Sequence, residues 1–317
     1  DSTAVAFGLA PQLNALGRLA DANEGVRFLL DIDQSTVDNI GNMLHAYNND
    51  RKKIQANMFN EIKNKIKARE IDLDRERIII VSSSDFHPGV NGLVASKLVE
   101  KYYKPAIVCT EVADEHGETI LKGSARSIAA FHLFDALFQC EDLLMGWGGH
   151  KVAAGLAFKK ANLQALKKRM EHIFVDTVKP RDTINRHIID AESSFINLVP
   201  KMIEDFQKLA PFGNENPQPT LLFDHVRVVD QAVDKKGKQQ ANPQWLGKNK
   251  AGHCKCIVIE QGKERTLKFF FRPDMFYRLK ELKERGREFK LIGTPDDNYW
   301  NGKRSIEING VDIEAIQ

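Results

Sequence analysis

Gly146-Trp147-Gly148-Gly149-His150-Lys151-Val152-Ala153-Ala154-Gly155 is the stretch whose reading decides the fold. Glycines at 146, 148 and 149 let backbone N–H groups approach a ligand with no side chain in the way, and they permit positive φ. Exposed N–H groups in such a turn form a small concavity for an anion. Upstream lies Lys122-Gly123-Ser124-Ala125-Arg126-Ser127, whose arginine offers a planar fork suited to a phosphate. With His150 as a further donor, the two segments read as a pocket for one phosphate of a larger substrate. Gly-Gly-His alone would equally serve as a glycine turn feeding a strand, with His150 capping it. The Gly-Ser-Ala-Arg-Ser run tips the reading toward binding.

Working outward, the surrounding residues alternate between strand and helix patterns. Arg77–Val81 is a short apolar run fit for a buried strand. The Gly89–Gly92 turn leads into a helix through Leu93, Val94, Leu98 and Val99, and Pro105–Cys109 follows as a second strand. Thr119–Ser127 reads as a third strand with Arg126 near its end, Phe131–Leu144 as an amphipathic helix, and Ala153–Phe158 as a strand after the glycine turn. Leu163–Phe174 closes the unit as a helix. Such alternation argues for an α/β domain with mostly parallel pairing and a ligand site where strands give way to helices. His87, between Phe86 and Pro88, would either meet a base or phosphate or fix the loop before the helix.

Before this unit, apolar residues recur at threes and fours from Ser35 to Glu70, through Ile40, Met43, Leu44, Tyr47, Ile54, Met58, Ile62 and Ile66. A helix of that length spans roughly 50 Å at about 1.5 Å per residue. Its remaining faces are charged, with Arg51, Lys52, Lys53, Lys63, Lys65 and Lys67 among them. Earlier still, Asn14 and Arg18 lie four apart, so one face of a short helix carries both.

After residue 178 a polar run and a helical pattern through Leu198, Met202, Phe206 and Leu209 precede Pro211-Phe212-Gly213-Asn214-Glu215-Asn216-Pro217, a turn cluster that marks a domain boundary. Beyond it the style is all-β. Strands are expected at Leu221–Phe223, Cys254–Ile259, Leu267–Phe271, Phe289–Ile292 and Ile306–Ile308, with a helix at Asp274–Arg285 between the third and fourth. Five strands with a helix in that place is the pattern of an OB-fold barrel. Lys235, Lys236, Lys238, Lys248, Lys250, Lys255, Trp245 and His253 crowd one loop region, and Tyr299 and Trp300 sit near a turn. Aromatics among lysines suit a single-stranded nucleic acid, with rings on bases and ammonium groups along phosphates. Lys248, Lys250 and Trp300 are the expected contacts, whereas Phe269 and Phe271 are expected mostly to pack.

Composition sets bounds. The 317 residues suffice for two or three domains with real cores, at 42% hydrophobic and 28% charged content. A net charge of +3 is too small to specify a polyanion partner, so local clustering must do so. Cys109, Cys140, Cys254 and Cys256 lack paired metal spacing and read as thiols in a reducing, cytoplasmic setting. No run reaches membrane-spanning length, and the start at Asp1 suits a fragment.

Taken in order, these motifs resemble the DHHA1 domain of DHH-family phosphoesterases, and within them the RecJ type of single-strand-specific DNA exonuclease. Pro11-Gln12-Leu13-Asn14-Ala15-Leu16-Gly17-Arg18-Leu19 is similar to the segment ending the family's catalytic domain. Phe86-His87-Pro88-Gly89-Val90-Asn91-Gly92 resembles the opening of DHHA1, and Pro211–Pro217 resembles the approach to the RecJ OB domain. The resemblance implies a tail end of the catalytic domain over 1–34, a long connecting helix over 35–70, a DHHA1 substrate-binding domain over 71–178, a linker over 179–215 and an OB domain over 216–317. It further implies 5′→3′ degradation of single-stranded DNA in repair and recombination, a Mn²⁺ or Mg²⁺ requirement, and a single-strand-binding protein and a helicase as partners. Under it Arg18 faces the DNA path, and Asn14, His87, Ser124, Arg126, Gly148, Gly149 and His150 hold the strand.

The departure is that the family's Asp-His-His motif appears nowhere in this sequence. Asp31/Asp33, Asp72/Asp74 and Asp296/Asp297 lack metal spacing with histidine, and Ser124 has no base in sequence reach. No catalytic or metal-binding residue is therefore expected in this chain. The alternatives are a stand-alone module that binds single strands, or an oligonucleotide phosphodiesterase of the DHH family.

Overall fold

The computed structural model describes residues 4–213, 215–233, 238–246, 252–300 and 302–316, and of Val233, Trp300 and Lys303 the backbone alone. The chain divides between Arg186 and His187 into two units, each with its own core.

The first unit opens with a π-helical turn, Val5–Leu9, followed by α1 (Ala10–Leu19) and α2 (Asn23–Leu30). The long helix α3 runs from Gln34 to Lys67, close to the span its periodicity predicts. Asp33 starts it, its carboxylate accepting from the Thr36 amide and hydroxyl at 2.9 and 2.7 Å. That satisfies one of the orphan donors of a helix N-terminus. Two stretches of α3 are buried. Ile40 and Leu44 pack on Leu13 and Leu16 of α1. Met58, Phe59 and Ile62 pack on the sheet and its first helix.

The sheet contains β1 (Ile79–Ser83), β2 (Ala106–Ala113), β3 (Thr119–Arg126), β4 (Gly146–Gly149) and β5 (Ala153–Lys159), in the order β1-β2-β3-β5-β4. Helix α4 (Pro88–Tyr102) crosses from β1 to β2, and α5 (Leu133–Phe138) and α6 (Leu163–Thr177) cover the opposite face. The α/β class stands, but the expected mostly parallel pairing does not. Only β1 and β2 are parallel, and the other neighbours run antiparallel. A parallel pair needs a crossover of a dozen or more residues. The β2–β3 link is a tight hairpin in which Asp114 Oδ1 accepts from the amides of His116 and Glu118.

Two further expectations are corrected. The helix expected over Phe131–Leu144 is only Leu133–Phe138 plus a 3₁₀ turn at Glu141–Leu143, because His132 Nδ1 caps the Asp135 amide at 3.3 Å and starts the helix late. Gly146–Gly149 is an edge strand laddered to Ala154–Ala157, and the turn lies after it, closed by His150 N–H donating to the Ala153 carbonyl at 2.8 Å. Of these glycines Gly149 alone has a left-handed φ, +151°, and a Cβ there would sit 2.3 Å from the Ala153 oxygen.

The second unit is built on β7 (Leu221–Val228), β11 (His253–Glu260), β12 (Lys263–Phe269), β13 (Phe289–Trp300) and β14 (Lys303–Ala315). Pairings β7–β11, β11–β12, β12–β14, β14–β13 and β13–β7 close a five-stranded barrel, with only β12–β14 parallel. Helix α8 (Pro273–Glu284) sits between the third and fourth of these strands and buries Met275, Leu279 and Leu282. This is the OB topology expected from the strand spacing. Short strands β6 (Ala191–Ser193), β8 (Ala232–Val233), β9 (Gln239–Gln240) and β10 (Gln244–Leu246), and helix α7 (Pro200–Gln207), decorate it. Phe195 and Leu198, upstream of the barrel strands, belong to its core. Glu260 accepts from Ser194 Oγ and the Phe195 amide, and Arg265 donates to the Phe195 and Leu198 carbonyls. Cys254 and Cys256 are both buried on one side of β11. Phe269 is core as expected, but Phe271 is not. Strand β12 ends at Phe269, and Phe271, at φ +57°, stands 80% exposed. No helix among the described residues is long and apolar enough to cross a membrane.

Candidate nucleic-acid interface

The first unit brings most of the expected site residues together. Across the sheet, Ser124 stands in register with Gly155, and Gly155 with Gly148. Directly paired residues share a face of a sheet. One face therefore carries Lys122, Ser124 and Arg126 on β3, then Ala153, Gly155 and Ala157, then Gly146 and Gly148. A Cβ placed on Gly146, Gly148 or Gly155 would meet nothing within 4 Å. The result is an open floor almost free of side chains, bordered by a serine and an arginine.

Helix α4 forms the wall on the β3 side. Its Gly92 lies against the arginine, since a Cβ there would be 2.9 Å from Arg126 Nη2 and 3.7 Å from Ser124 Cβ. His87 caps this helix, its Nδ1 accepting from the Gly89 amide at 3.1 Å, so its observed role is to fix the loop. Asn91, one residue before Gly92, is buried and donates to Thr110 Oγ1 and the Lys122 carbonyl, tying helix to sheet.

Arg18 arrives from the other direction. Its Nη1 donates to the Gly89 carbonyl at 3.3 Å, and its own carbonyl presses on Gly89, where a Cβ would lie 2.1 Å away. Burial, then the charge of Arg18, lowers the pKa of Arg126. Burial, then Arg18 again, lowers that of Arg51 on α3. Arg18 is thus within electrostatic range of both Arg126 and Arg51. Arg126 donates to its neighbour's carbonyl, Ala125 O, at 2.8 Å, and Arg51 to Asn48 and Gln55. Asp135, a conceivable structural partner of Arg126, pairs with His132 instead. Like charges held close to one another favour an anion near them.

Arg51 was missed as part of this cluster because sequence alone placed it on the solvated face of α3. The available signal was its spacing from Leu44 and Tyr47, seven and four residues on, which carries it to the side packed on α1. Asn14 and Arg18 both lie on α1, Asn14 exposed and Arg18 partly buried. Gly149 and His150 are exposed at the far end of β4. In the second unit Lys248 and Lys250 lie outside the described residues, as does the side chain of Trp300. Tyr299 is exposed beneath the Arg304 guanidinium at 5.6 Å.

Among the described residues no group of three or more His, Cys, Asp and Glu side chains converges as a metal site would require. The described side chains do not fit a Mn²⁺ or Mg²⁺ centre, and no chemical step is assigned to them.

The comparisons with known proteins agree with this architecture. Residues 75–176 match the model of the DHHA1 domain, and residues 189–312 that of the RecJ OB domain. The single-stranded-DNA-specific exonuclease RecJ of Bacillus subtilis is 30% identical over 304 residues, covering 96% of this chain and 36% of the relative. The corresponding protein of Thermus thermophilus is 27% identical over 99% of this chain and 41% of its own length. The crystal structure of Thermus thermophilus RecJ in complex with Mn²⁺ matches over 100% of this chain and 42% of that one, with a TM-score of 0.74 and 26% identity. Its Mg²⁺ complex gives the same TM-score at 25% identity. The chain spans 36% and 41% of the length of these two curated relatives. With a DHHA1 domain followed by a RecJ OB domain, and this likeness along its whole length, the chain is a member of the RecJ family.

Proposed function

We propose that this chain is the substrate-binding portion of a RecJ-like 5′→3′ single-stranded-DNA exonuclease, and that the floor beside Ser124 and Arg126 receives the 5′-terminal phosphate. The observation that carries the reading is the cross-strand pair Gly155–Gly148, bare of side chains and bordered by Ser124 and Arg126. A terminal phosphate has free oxygens and extra charge, so an arginine fork and a serine hydroxyl distinguish it from an internal phosphodiester. Arg18 reaches the same end from α1, Asn14 and His150 flank the strand, and His87 and Gly149 hold the backbone that shapes the site. Within the OB domain, Lys248, Lys250 and Trp300 are the residues we assign as strand contacts.

Residues 1–34 are then the tail end of a catalytic domain and 35–70 its connecting helix. Phe7, Leu29, Leu30 and Ile32 support this division, because all four are large apolar side chains left more than half exposed. Hydrolysis depends on Mn²⁺ or Mg²⁺ held by residues other than those described here. The setting is cytoplasmic DNA repair and recombination, with a single-strand-binding protein and a helicase as partners. A purely binding role is the second reading, favoured by the lack of a metal cluster among the described residues.

Binding of 5′-phosphorylated and 5′-hydroxyl single strands to the native chain tests the pocket. The phosphorylated strand should bind more tightly, and Arg126→Ala should remove the difference by weakening its binding about tenfold, the loss of one charge-assisted hydrogen bond. Equal affinity for both ends in the native chain would sink the phosphate pocket.

A further inference from the structure

The barrel of the second unit carries a cleft of about 530 Å³ where β7 pairs with β11, roofed by the C-terminal turn of α8. None of the candidate site residues named above lines it. Its floor is apolar, made by Val228, Ile259 and Leu282, and its rim holds Arg227, Lys283 and Arg287. The volume is in the range of small-ligand sites, which run from about 300 to 1,000 Å³ and join an apolar floor to a few placed polar groups.

The three cations are differently engaged. Lys283 Nζ donates to the Asp230 carbonyl at 2.8 Å and the Asn242 carbonyl at 3.1 Å, which anchors it and leaves one of its three donors. Arg227 Nε lies 3.7 Å from a Glu288 oxygen, and that carboxylate is shared with His225 at 2.6 Å. The Arg287 guanidinium has no partner among the described residues, although its backbone amide is tied to the Leu282 carbonyl. Asp230 is the one carboxylate residue in the lining. The rim is therefore positive on balance, with forks still able to grip two phosphate oxygens.

We infer that this cleft binds a nucleoside 5′-monophosphate unit, its base on Val228, Ile259 and Leu282 and its phosphate between Arg227 and Arg287. A bare anion would leave the apolar floor unused, and an uncharged apolar ligand would leave both arginine forks unused. A nucleotide satisfies both. The inference extends the nucleic-acid reading given above to a second place on the molecule. The same unit arises as one residue of a bound strand or as a free mononucleotide.

The test uses the 317-residue chain in an Arg126→Ala background, so that the phosphate pocket of the first unit is silent. Calorimetric titration with dTMP should show one site. Arg227→Ala/Arg287→Ala should weaken it by about tenfold or more, as expected for lost charge-assisted hydrogen bonds. Both arginines are exposed, so the melting temperature should hold; if the double variant melts early, Arg287→Ala alone is the variant read. Thymidine and inorganic phosphate should each bind more weakly than dTMP. Displacement of dTMP by oligothymidylate assigns the site to a strand, and failure of displacement assigns it to the free mononucleotide; both outcomes support the cleft. Native-like dTMP affinity in the folded arginine variants would overturn the inference, as would inorganic phosphate binding as tightly as dTMP. End preference lost with Arg126→Ala but no dTMP site would refute the cleft and spare the pocket, and the converse result would refute the pocket alone.

Discussion

At the residue scale, two glycines set opposite demands. Gly89 lets the end of α1 touch the start of α4, and a methyl there would collide with the Arg18 backbone at 2.1 Å. A backbone cannot rotate aside as a side chain does, so Gly89→Ala should destabilise by about 1–3 kcal/mol, the usual cost of overpacking. It should also push Arg18 out of place. Gly148 faces open space, so Gly148→Val should leave the melting temperature within about 1–2 °C, since exposed substitutions away from packing change little. It should nevertheless weaken single-strand binding by filling the floor. Melting curves and binding titrations on the two variants separate these outcomes. If Gly148→Val bound single strands as the native chain does, the floor would not be the strand's path. Both assignments needed tertiary contacts, because in the sequence each is one glycine among 21.

At the element scale, the long helix depends on its first turn. Hydrogen bonds from Ser35 and Thr36 hold the Asp33 carboxylate down at about 2, against an ordinary value of 3.8. A depressed carboxylate pKa stabilises the fold above the unfolded value and ceases to do so as pH falls through the folded value. The contribution of this cap should be complete above pH 3.8, shrink below it and vanish near pH 2. Melting temperatures of the native chain and Asp33→Ala should therefore differ at neutral pH and converge between those limits. A constant gap down to pH 2 would show that the carboxylate charge plays no part. This helix was legible from its periodicity because one apolar stripe runs along it. The edge strand Gly146–Gly149 was not, because glycine has no side chain to alternate and only the ladder to β5 makes it a strand.

At the scale of the whole molecule, the net charge of +3 is too small to draw in a polyanion, so the proposed strand binding would rest on local groups such as Arg18, Arg51 and Arg126. Single-strand affinity should then fall with salt, with log K declining against log salt by about 0.7 for each phosphate neutralised. Titrations across a salt series measure that slope. A value near zero would mean that stacking or packing, not phosphate contact, holds the strand.

What the sequence by itself determined was the main elements: the long helix, the alternating strands and helices of the first unit, and the barrel with a helix after its third strand. Those follow from local periodicity and turn residues, which act over a few neighbours. The RecJ resemblance was likewise legible, since its motifs are contiguous. Only the tertiary structure decided that the first sheet is mostly antiparallel, that Phe271 points outward past the end of β12, and that Arg51 joins Arg18 and Arg126. Pairing direction depends on how the links between strands run in space, and a charge cluster on which distant helices meet. Neither quantity is a property of any one stretch of chain.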